Sequence, residues 1–180
     1  MTVTSFGDPS LNQRYSGTLP NYPPIKTTLI PAWQDFAIEH DQTLDYVASM
    51  VEVGDLLADE DLIGRDDMET LCAHVTAVCF VESRLRQYNQ KGNVVVGDQG
   101  AARGIAQLHP LWESHFGLER DVMRDSLEMC ARLLLRGGWS PSDAHAQDIA
   151  FSYYNTGKRK MYTKYRDKVR TALSQIEDGE

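Results

Sequence analysis

Glu82 is the residue whose place in the sequence best suits acid–base chemistry. It continues an apolar series at helical spacing, formed by Leu71, Val75, Val78 and Leu85. A carboxylate therefore stands where the pattern predicts an apolar residue facing the core. Burial disfavours the ionised form of a carboxyl group and raises its pKa. Such a group keeps its proton near neutral pH and can donate it to a leaving group, as a general acid must.

A structural interpretation of Glu82 competes with the catalytic one. A glutamate at the end of an apolar stripe can pair with a nearby arginine, and the sequence offers Arg84, Arg86 and Arg103. The stripe alone favours such an ion pair over a catalytic role for Glu82. The neighbouring segments are therefore needed to distinguish the two interpretations.

Other kinds of active site find little support. Gly92 and Gly97 have the spacing of a phosphate-binding loop, but Asp98-Gln99 follows where Lys and Ser or Thr are required. GxSxG and HExxH motifs are absent and the five histidines are scattered, which disfavours serine and zinc hydrolases. The three cysteines form no CxxC pair, so neither a disulfide framework nor structural zinc is predicted. We expect no metal and no cofactor.

Three segments around Glu82 follow one another in the order of a known family. They are Glu82-Ser83, the segment Gly104-Ile105-Ala106-Gln107-Leu108, and Tyr153-Tyr154-Asn155-Thr156-Gly157. Over about residues 66–170 the chain resembles the lytic transglycosylases of the goose-type lysozyme superfamily (SLT domains), whose signature is an ES pair, a GxxGxxQ segment and an AYNxG segment. It departs from this signature at Ala101, which stands at the first glycine of GxxGxxQ, and at Tyr153, which replaces a small residue.

The resemblance implies a peptidoglycan lytic transglycosylase with a mainly α, lysozyme-like fold. Glu82 would be the general acid and then the base that cleaves the β-1,4 bond between N-acetylmuramic acid and N-acetylglucosamine (MurNAc–GlcNAc), opening the cell wall locally. Tyr154 would lie beside the Glu82 carboxyl, although ordinary core packing next to Tyr153 explains it as well. The implied substrate-binding residues are Ser83, Gly104, Gln107, Tyr154 and Asn155.

The role of Asp98 distinguishes two reactions that such an enzyme could catalyse. Transglycosylases need one carboxyl group, because the 6-hydroxyl of the muramic acid attacks and leaves a 1,6-anhydro end. An inverting muramidase needs a second carboxylate to activate water. Asp98 is the candidate for it, since it lies between Glu82 and Gln107 in the sequence. Its flanking glycines also explain it as a simple turn residue, and we favour that explanation.

The elements that must position these residues are predicted from apolar spacing. Residues 1–31 carry five of the seven prolines and are expected to form an extended or disordered arm, with residues 32–180 as a single domain. The pattern predicts helices over about 33–50, 66–88 and 121–136, one from near 104, one from near 140, and a basic one at the end. Residues 89–103 are expected to form a short β-hairpin or an irregular loop.

Particular residues mark the expected helix ends. Asp66 and Glu69 have the spacing of a capping box at the start of the second helix. Gly137-Gly138 is expected to end the helix over 121–136. Ser140-Pro141 is expected to start the next one, with Ser140 as the N-cap.

Charge and hydropathy constrain the partners. The net charge of −8 disfavours a general nucleic-acid binder, although the seven basic residues in 158–170 could face an anionic polymer or simply form a solvated helix face. No membrane span and no signal peptide are predicted. We therefore expect synthesis in the cytoplasm and delivery to the periplasm or cell wall by a phage virion or secretion machine, with the arm as a docking segment. The rival classes are a virion or tail structural protein that retains the fold and an all-α interaction domain.

Overall fold

Residues 31–40 and 45–178 are the part of the chain that the structure, a computed structural model, describes. In these residues it contains seven α-helices and one two-stranded antiparallel sheet. The helices are α1 (Ala32–His40), α2 (Asp45–Asp59), α3 (Met68–Ser83), α4 (Pro110–Phe116), α5 (Met123–Gly137), α6 (Ala144–Thr156) and α7 (Thr163–Asp178). The strands are β1 (Val96–Gly97) and β2 (Ala102–Arg103). The expected mainly α class is confirmed, and residues 1–30 of the predicted arm lie outside the described residues.

Helix α3 is the central element of the core. Ten of its 16 residues are buried and they point to all sides of the helix, because α1, α2, α5 and α7 all pack against it. The stripe through Leu71, Val75 and Val78 is fully buried, as the sequence predicts, but it is only one part of the buried surface. The three cysteines are buried, unpaired thiols that fill space in this core.

The predicted ends of α3 are wrong at both termini. Residues Arg65–Asp67 form a short 3-10 turn, and no side chain caps the helix, so the capping box is not formed. The helix ends at Ser83 rather than near Tyr88, because Arg84 and Leu85 both adopt left-handed backbone angles, with φ of 58° and 56°. Leu85 is fully buried all the same, as a residue of the loop and not of the helix.

The segment after β2 is also not the helix that the sequence predicts. Residues 104–107 form consecutive turns, in which Gly104 and Gln107 have φ of 77° and 47°. The next helix starts only at Pro110, where proline fits the first turn. The hairpin alternative for residues 89–103 is confirmed, with Val96 opposite Arg103 and Gly97 opposite Ala102.

The last three helices lie close to their predicted positions. Helix α5 ends at Gly137, and the next residue, Gly138, is its C-cap with φ of 95°, as the Gly137-Gly138 pair predicts. The N-cap of α6 is Asp143, whose carboxylate accepts from the backbone N–H groups of His145 and Ala146. The prediction of Ser140 as the N-cap is therefore wrong. Within residues 31–40 and 45–178 no helix is long and apolar enough to cross a membrane.

Candidate active site

The Glu82 carboxyl lies at the C-terminal end of α3, where that helix meets α7. The side chain is partly buried, and its Oε1 accepts a hydrogen bond of 2.5 Å from the Tyr165 hydroxyl. Tyr165 is itself buried on the face of α7 that packs against α3. One carboxylate oxygen is therefore held in place by a neutral donor from a helix 83 residues further along the chain.

The surroundings of Glu82 raise its pKa above the ordinary value. Loss of solvation on burial is the largest cause, and the negative charge of Asp98 adds to it. The Tyr165 hydrogen bond and the positive charge of Lys168 act in the opposite direction. Burial also raises the pKa of Tyr165 well above its ordinary value, so its hydroxyl stays protonated and remains a donor.

The arginines that could have neutralised Glu82 are engaged elsewhere. The Arg84 guanidinium lies 4.5 Å from the centre of the Phe80 ring. The Arg86 Nε donates to the Ser83 carbonyl at 3.1 Å, and Arg103 forms an ion pair of 2.9 Å with Asp121. The structural interpretation of Glu82, as the partner of one of these arginines, is therefore not supported.

A polar pocket of about 310 Å³ opens in front of the Glu82 carboxyl. It is lined by residues from α3, the hairpin, the following turns and α6, namely Glu82, Asp98, Ala102, Gln107, Tyr154 and Asn155. Five of these six residues are ones that the sequence predicts for the site. The fold thus brings together the three sequence segments on which the resemblance rests.

Backbone strain in the hairpin and turns orients two of the lining residues. Asp98 lies at the hairpin tip, with φ of 51°, and its side chain is exposed. Gln107 has φ of 47°, and its Nε2 donates to the Gly104 carbonyl at 2.8 Å. Non-glycine residues in this left-handed region cost conformational energy and are often found at functional sites.

Tyr154 forms part of the pocket wall, but its hydroxyl does not hold the Glu82 carboxyl. It donates instead to the backbone carbonyl of Ala106 and so ties α6 to the turn before Gln107. The resemblance places a tyrosine beside the carboxyl, and the structure has two there: Tyr154 in the wall and Tyr165 on the carboxyl itself.

Ser83 and Gly104, both predicted to bind substrate, lie behind the pocket lining. Ser83 is 5% exposed, and its hydroxyl donates to the Ile105 carbonyl at 2.6 Å. At Gly104 an added Cβ would stand 2.3 Å from the Arg120 carbonyl oxygen. Their positions favour a structural role, in which Ser83 joins α3 to the turn and Gly104 allows close backbone packing.

Tyr165 is the site residue that the sequence reasoning missed. The signal was present, because Tyr165, Val169, Ala172 and Ile176 are spaced as one buried face of α7. A tyrosine on such a face carries a hydroxyl that needs a buried partner, and a buried carboxyl can supply it. The seven basic residues in 158–170 indicate only the solvated face of this helix.

The described residues contain no group of three or more His, Cys, Asp or Glu side chains arranged to hold a metal ion. The chemistry available in the pocket is proton transfer by Glu82, with amide groups of Gln107 and Asn155 beside it. Comparison with known proteins adds no relative: no family model matches the chain, and neither a curated protein nor a solved structure does.

Proposed function

We propose that this protein is a peptidoglycan lytic transglycosylase of lysozyme-like fold, with Glu82 as the acid and then the base. The observation that carries the proposal is the Glu82 carboxyl itself, which has a raised pKa, is held by a neutral tyrosine hydroxyl and faces an open polar pocket. The order of the Glu82-Ser83, Gly104–Leu108 and Tyr153–Gly157 segments supports the choice of substrate.

The reaction needs one group that first gives and then takes a proton. Glu82 donates its proton to the glycosidic oxygen as the bond from that oxygen to C1 of the muramic acid breaks. The 6-hydroxyl oxygen of the same sugar then bonds to C1, and its proton passes to the Glu82 carboxylate. The products are a 1,6-anhydro end and a free 4-hydroxyl, and the carboxyl returns to its starting state.

The other pocket residues suit a sugar in this reaction. The exposed Asn155 amide and the Gln107 side chain offer hydrogen-bonding groups to hydroxyl and acetamido substituents. Tyr165 keeps the carboxyl oriented while its proton leaves and returns, because it can donate to either protonation state. Attack by the tethered 6-hydroxyl also benefits from a high effective concentration over bulk water.

Asp98 supports a second candidate, an inverting muramidase, because it lines the same pocket as Glu82. In that reaction its carboxylate would activate a water molecule on the opposite face of the sugar, some ~6.5–9.5 Å from the acid. Asp98 is exposed and lies at a strained hairpin tip, where a single carboxylate oxygen has little to fix a water in line. We therefore place transglycosylation first.

The decisive experiment is glycan cleavage by purified protein in a peptidoglycan zymogram. Glu82→Gln should remove activity by ~10²-fold or more while the variant stays folded. Glu69→Gln is the matched control, since Glu69 is an exposed glutamate on the same helix, and it should keep full activity. Cleavage by folded Glu82→Gln at the parental rate would refute the assignment. An inactive parent would favour the structural virion protein or the all-α interaction domain.

Mass spectrometry of the products separates the two reactions. Transglycosylation gives 1,6-anhydromuramoyl ends, which are one water lighter than the reducing ends left by hydrolysis. Anhydro ends together with an active Asp98→Asn variant are the expected result. Reducing muramic acid ends that disappear in Asp98→Asn would instead establish the muramidase.

We place the enzyme in a phage virion or a secretion machine that delivers it to the cell wall for local opening. The Pro-rich residues 1–31 would serve as the segment that docks on that machine. Co-purification of the full chain, but not of a chain lacking residues 1–31, with virions or secretion complexes would test this placement.

A further inference from the structure

Arg120 lies in the loop between α4 and α5, and its charged side chain is largely buried there. Only 12% of this side chain is exposed. Its Nε forms an ion pair of 3.1 Å with Glu113 of α4, and the same carboxylate accepts from the Arg120 backbone N–H at 3.2 Å. A buried charge needs such a partner, together with further hydrogen bonds, to be stable in the folded chain.

The further hydrogen bonds of Arg120 go to two backbone carbonyls next to the pocket. One terminal guanidinium nitrogen, Nη1, donates to the carbonyl oxygen of Ala101 at 2.6 Å and to that of Leu108 at 3.1 Å. These carbonyls lie at the two ends of the segment 101–108, which contributes Gln107 to the pocket lining. A single side chain therefore joins the end of the hairpin tip to the end of the turns that follow the hairpin.

Each of these two carbonyls belongs to a residue that is directly connected to a residue of the pocket lining. The Ala101 backbone N–H donates to the Asp98 carbonyl at 3.2 Å, so Arg120 holds the hairpin tip through one intervening residue. Leu108 directly follows Gln107 in the chain. Asp98 and Gln107 both line the pocket. Arg120 therefore restrains two lining residues, although it is not one of them itself.

The backbone of the hairpin tip needs a restraint of this kind. Asp98 and Gln99 both adopt left-handed angles, with φ of 51° and 55°. Non-glycine residues keep such angles only where the surrounding structure holds them. Asp98 is also exposed, so the packing of its own side chain contributes little to holding it. The hydrogen bond from Arg120 to Ala101 is therefore well placed to keep the tip in this conformation.

The conformation of the tip affects Glu82 because the tip carries the charge of Asp98. This negative charge favours the protonated form of the Glu82 carboxyl and contributes to its raised pKa. Such an interaction weakens as the two groups move apart. The other ionisable groups that face the carboxyl belong to helices α3, α6 and α7, namely Cys79, Tyr154, Tyr165 and Lys168. A change at Arg120 should therefore reach Glu82 through Asp98.

We propose that Arg120, held by Glu113, is a positioning residue that fixes the hairpin tip so that Asp98 stays close to the Glu82 carboxyl. The inference rests on the proposed function only in that Glu82 is the group that transfers the proton. Lysine in place of Arg120 would keep the positive charge but lose the planar fork, so it cannot bond to Glu113 and to both carbonyls in the same geometry. Arg120→Lys therefore loosens the tip without removing a charge.

The test is an NMR titration of the Glu82 carboxyl in the full chain, isotopically labelled at the side-chain carboxyl carbon of glutamate. Glu82→Gln identifies the signal. The titration compares the parent, Arg120→Lys, Asp98→Asn and the double variant, each checked for folding by circular dichroism. Arg132→Lys is the matched control, since Arg132 also pairs with two carboxylates and neither of them lines the pocket. If Arg120→Lys does not fold, Glu113→Gln takes its place in the same comparison.

Arg120→Lys should lower the Glu82 pKa by at least about half of the shift that Asp98→Asn produces, because the interaction between the two carboxyl groups falls with distance. In the Asp98→Asn background the same change should leave the pKa where it is, and Arg132→Lys should match the parent. Three results would overturn the proposal: an unchanged Glu82 pKa in folded Arg120→Lys, a lowering that is equally large without Asp98, or an equal lowering in Arg132→Lys.

Failure of the proposed function is a separate result. The titration needs no substrate, so an inactive parent whose Glu82 pKa still depends on Arg120 would refute the enzyme and leave the positioning role in place. In an active parent, the pH at which cleavage falls as Glu82 loses its proton should be lower in Arg120→Lys, in step with the NMR pKa. Cleavage that keeps the parental pH dependence in this variant would overturn the proposal.

Discussion

The pKa of Glu82 is governed by its burial and by charged and polar groups from two other elements, the hairpin and α7. Burial and Asp98 of the hairpin favour the protonated form, and Tyr165 and Lys168 of α7 favour the ionised form. A general acid must start each turnover protonated, so activity should fall as the pH rises through the Glu82 pKa. The alkaline limb of the pH profile is therefore a direct readout of these surroundings.

Tyr165→Phe should move that alkaline limb to higher pH. The hydroxyl stabilises the carboxylate, so its removal raises the Glu82 pKa further and extends the range in which the acid is protonated. The rate below the limb should fall by less than the ~10²–10⁴-fold expected for Glu82→Gln, because the proton donor remains and only its orientation is lost. The measurement is the pH dependence of kcat/KM on soluble glycan fragments.

Asp98→Asn should shift the alkaline limb in the opposite direction and serves as an internal control. Removal of its negative charge lowers the Glu82 pKa, so the limb should move to lower pH. Limbs that stay in place in both variants would mean that Glu82 is not the group that titrates.

At the scale of elements, the pocket depends on the turns between β2 and α4, which carry the lining residue Gln107. The Ser83 hydroxyl reaches the Ile105 carbonyl, and the Tyr154 hydroxyl reaches the Ala106 carbonyl. Buried Gln87 adds a third connection, by accepting from the Ile105 backbone N–H at 2.6 Å. The turns that present Gln107 are thus held by side chains from the elements on either side.

Gly104→Ala should destabilise the protein more than the same change at Gly92. Both glycines have left-handed φ, of 77° and 76°, so both substitutions cost about 1–2 kcal/mol of backbone strain. At Gly104 the new Cβ also meets the Arg120 carbonyl at 2.3 Å, whereas at Gly92 nothing lies within 4 Å. This contact should add about 1–3 kcal/mol.

Urea denaturation of the two glycine variants and the parent gives the comparison. Equal losses of unfolding free energy would show that the backbone near Arg120 moves away at little cost, contrary to the close packing described for these turns.

At the scale of the whole molecule, we expect Glu82 to reduce the stability of the folded chain at neutral pH, because burial raises its pKa. Its pKa is higher in the folded state than its ordinary value of 4.5. Its stabilising contribution to the folded state is therefore present below pH 4.5, and this contribution is lost as the pH rises through the higher pKa of the folded state. Many Asp and Glu side chains have the opposite effect on how stability depends on pH, because ion pairs in the folded state lower their pKa values.

Glu82→Gln should accordingly be at least as stable as the parent at pH 7, with the gain relative to the parent shrinking toward pH 4. Glutamine has nearly the same volume, and its amide oxygen can still accept from Tyr165, so the main change is loss of a buried charge. Urea midpoints at both pH values, with Glu69→Gln as the control, provide the measurement. A variant that is less stable than the parent at pH 7 alone would show that the carboxylate stabilises the fold.

The sequence by itself determined the local features of this protein. Apolar spacing predicted α3, α5, α6 and α7 near their observed positions and the buried stripe of α3 that leads to Glu82, and the glycine pair at 137–138 marked the end of α5. The single helix predicted over 33–50 is instead the two helices α1 and α2. These features depend on residues within a few turns of one another, so a linear pattern contains them. The segments around Glu82, Gln107 and Tyr154 were identified for the same reason.

Only the tertiary structure decided what surrounds the Glu82 carboxyl. Whether an arginine or a tyrosine meets it depends on how α7 packs on α3, and that contact joins residues 83 positions apart. The premature end of α3 has the same origin, because left-handed angles at Arg84 and Leu85 are retained where tertiary packing outweighs helix propensity. Helical periodicity specifies which face of a helix is buried, and the neighbouring helix decides which side chain that face meets.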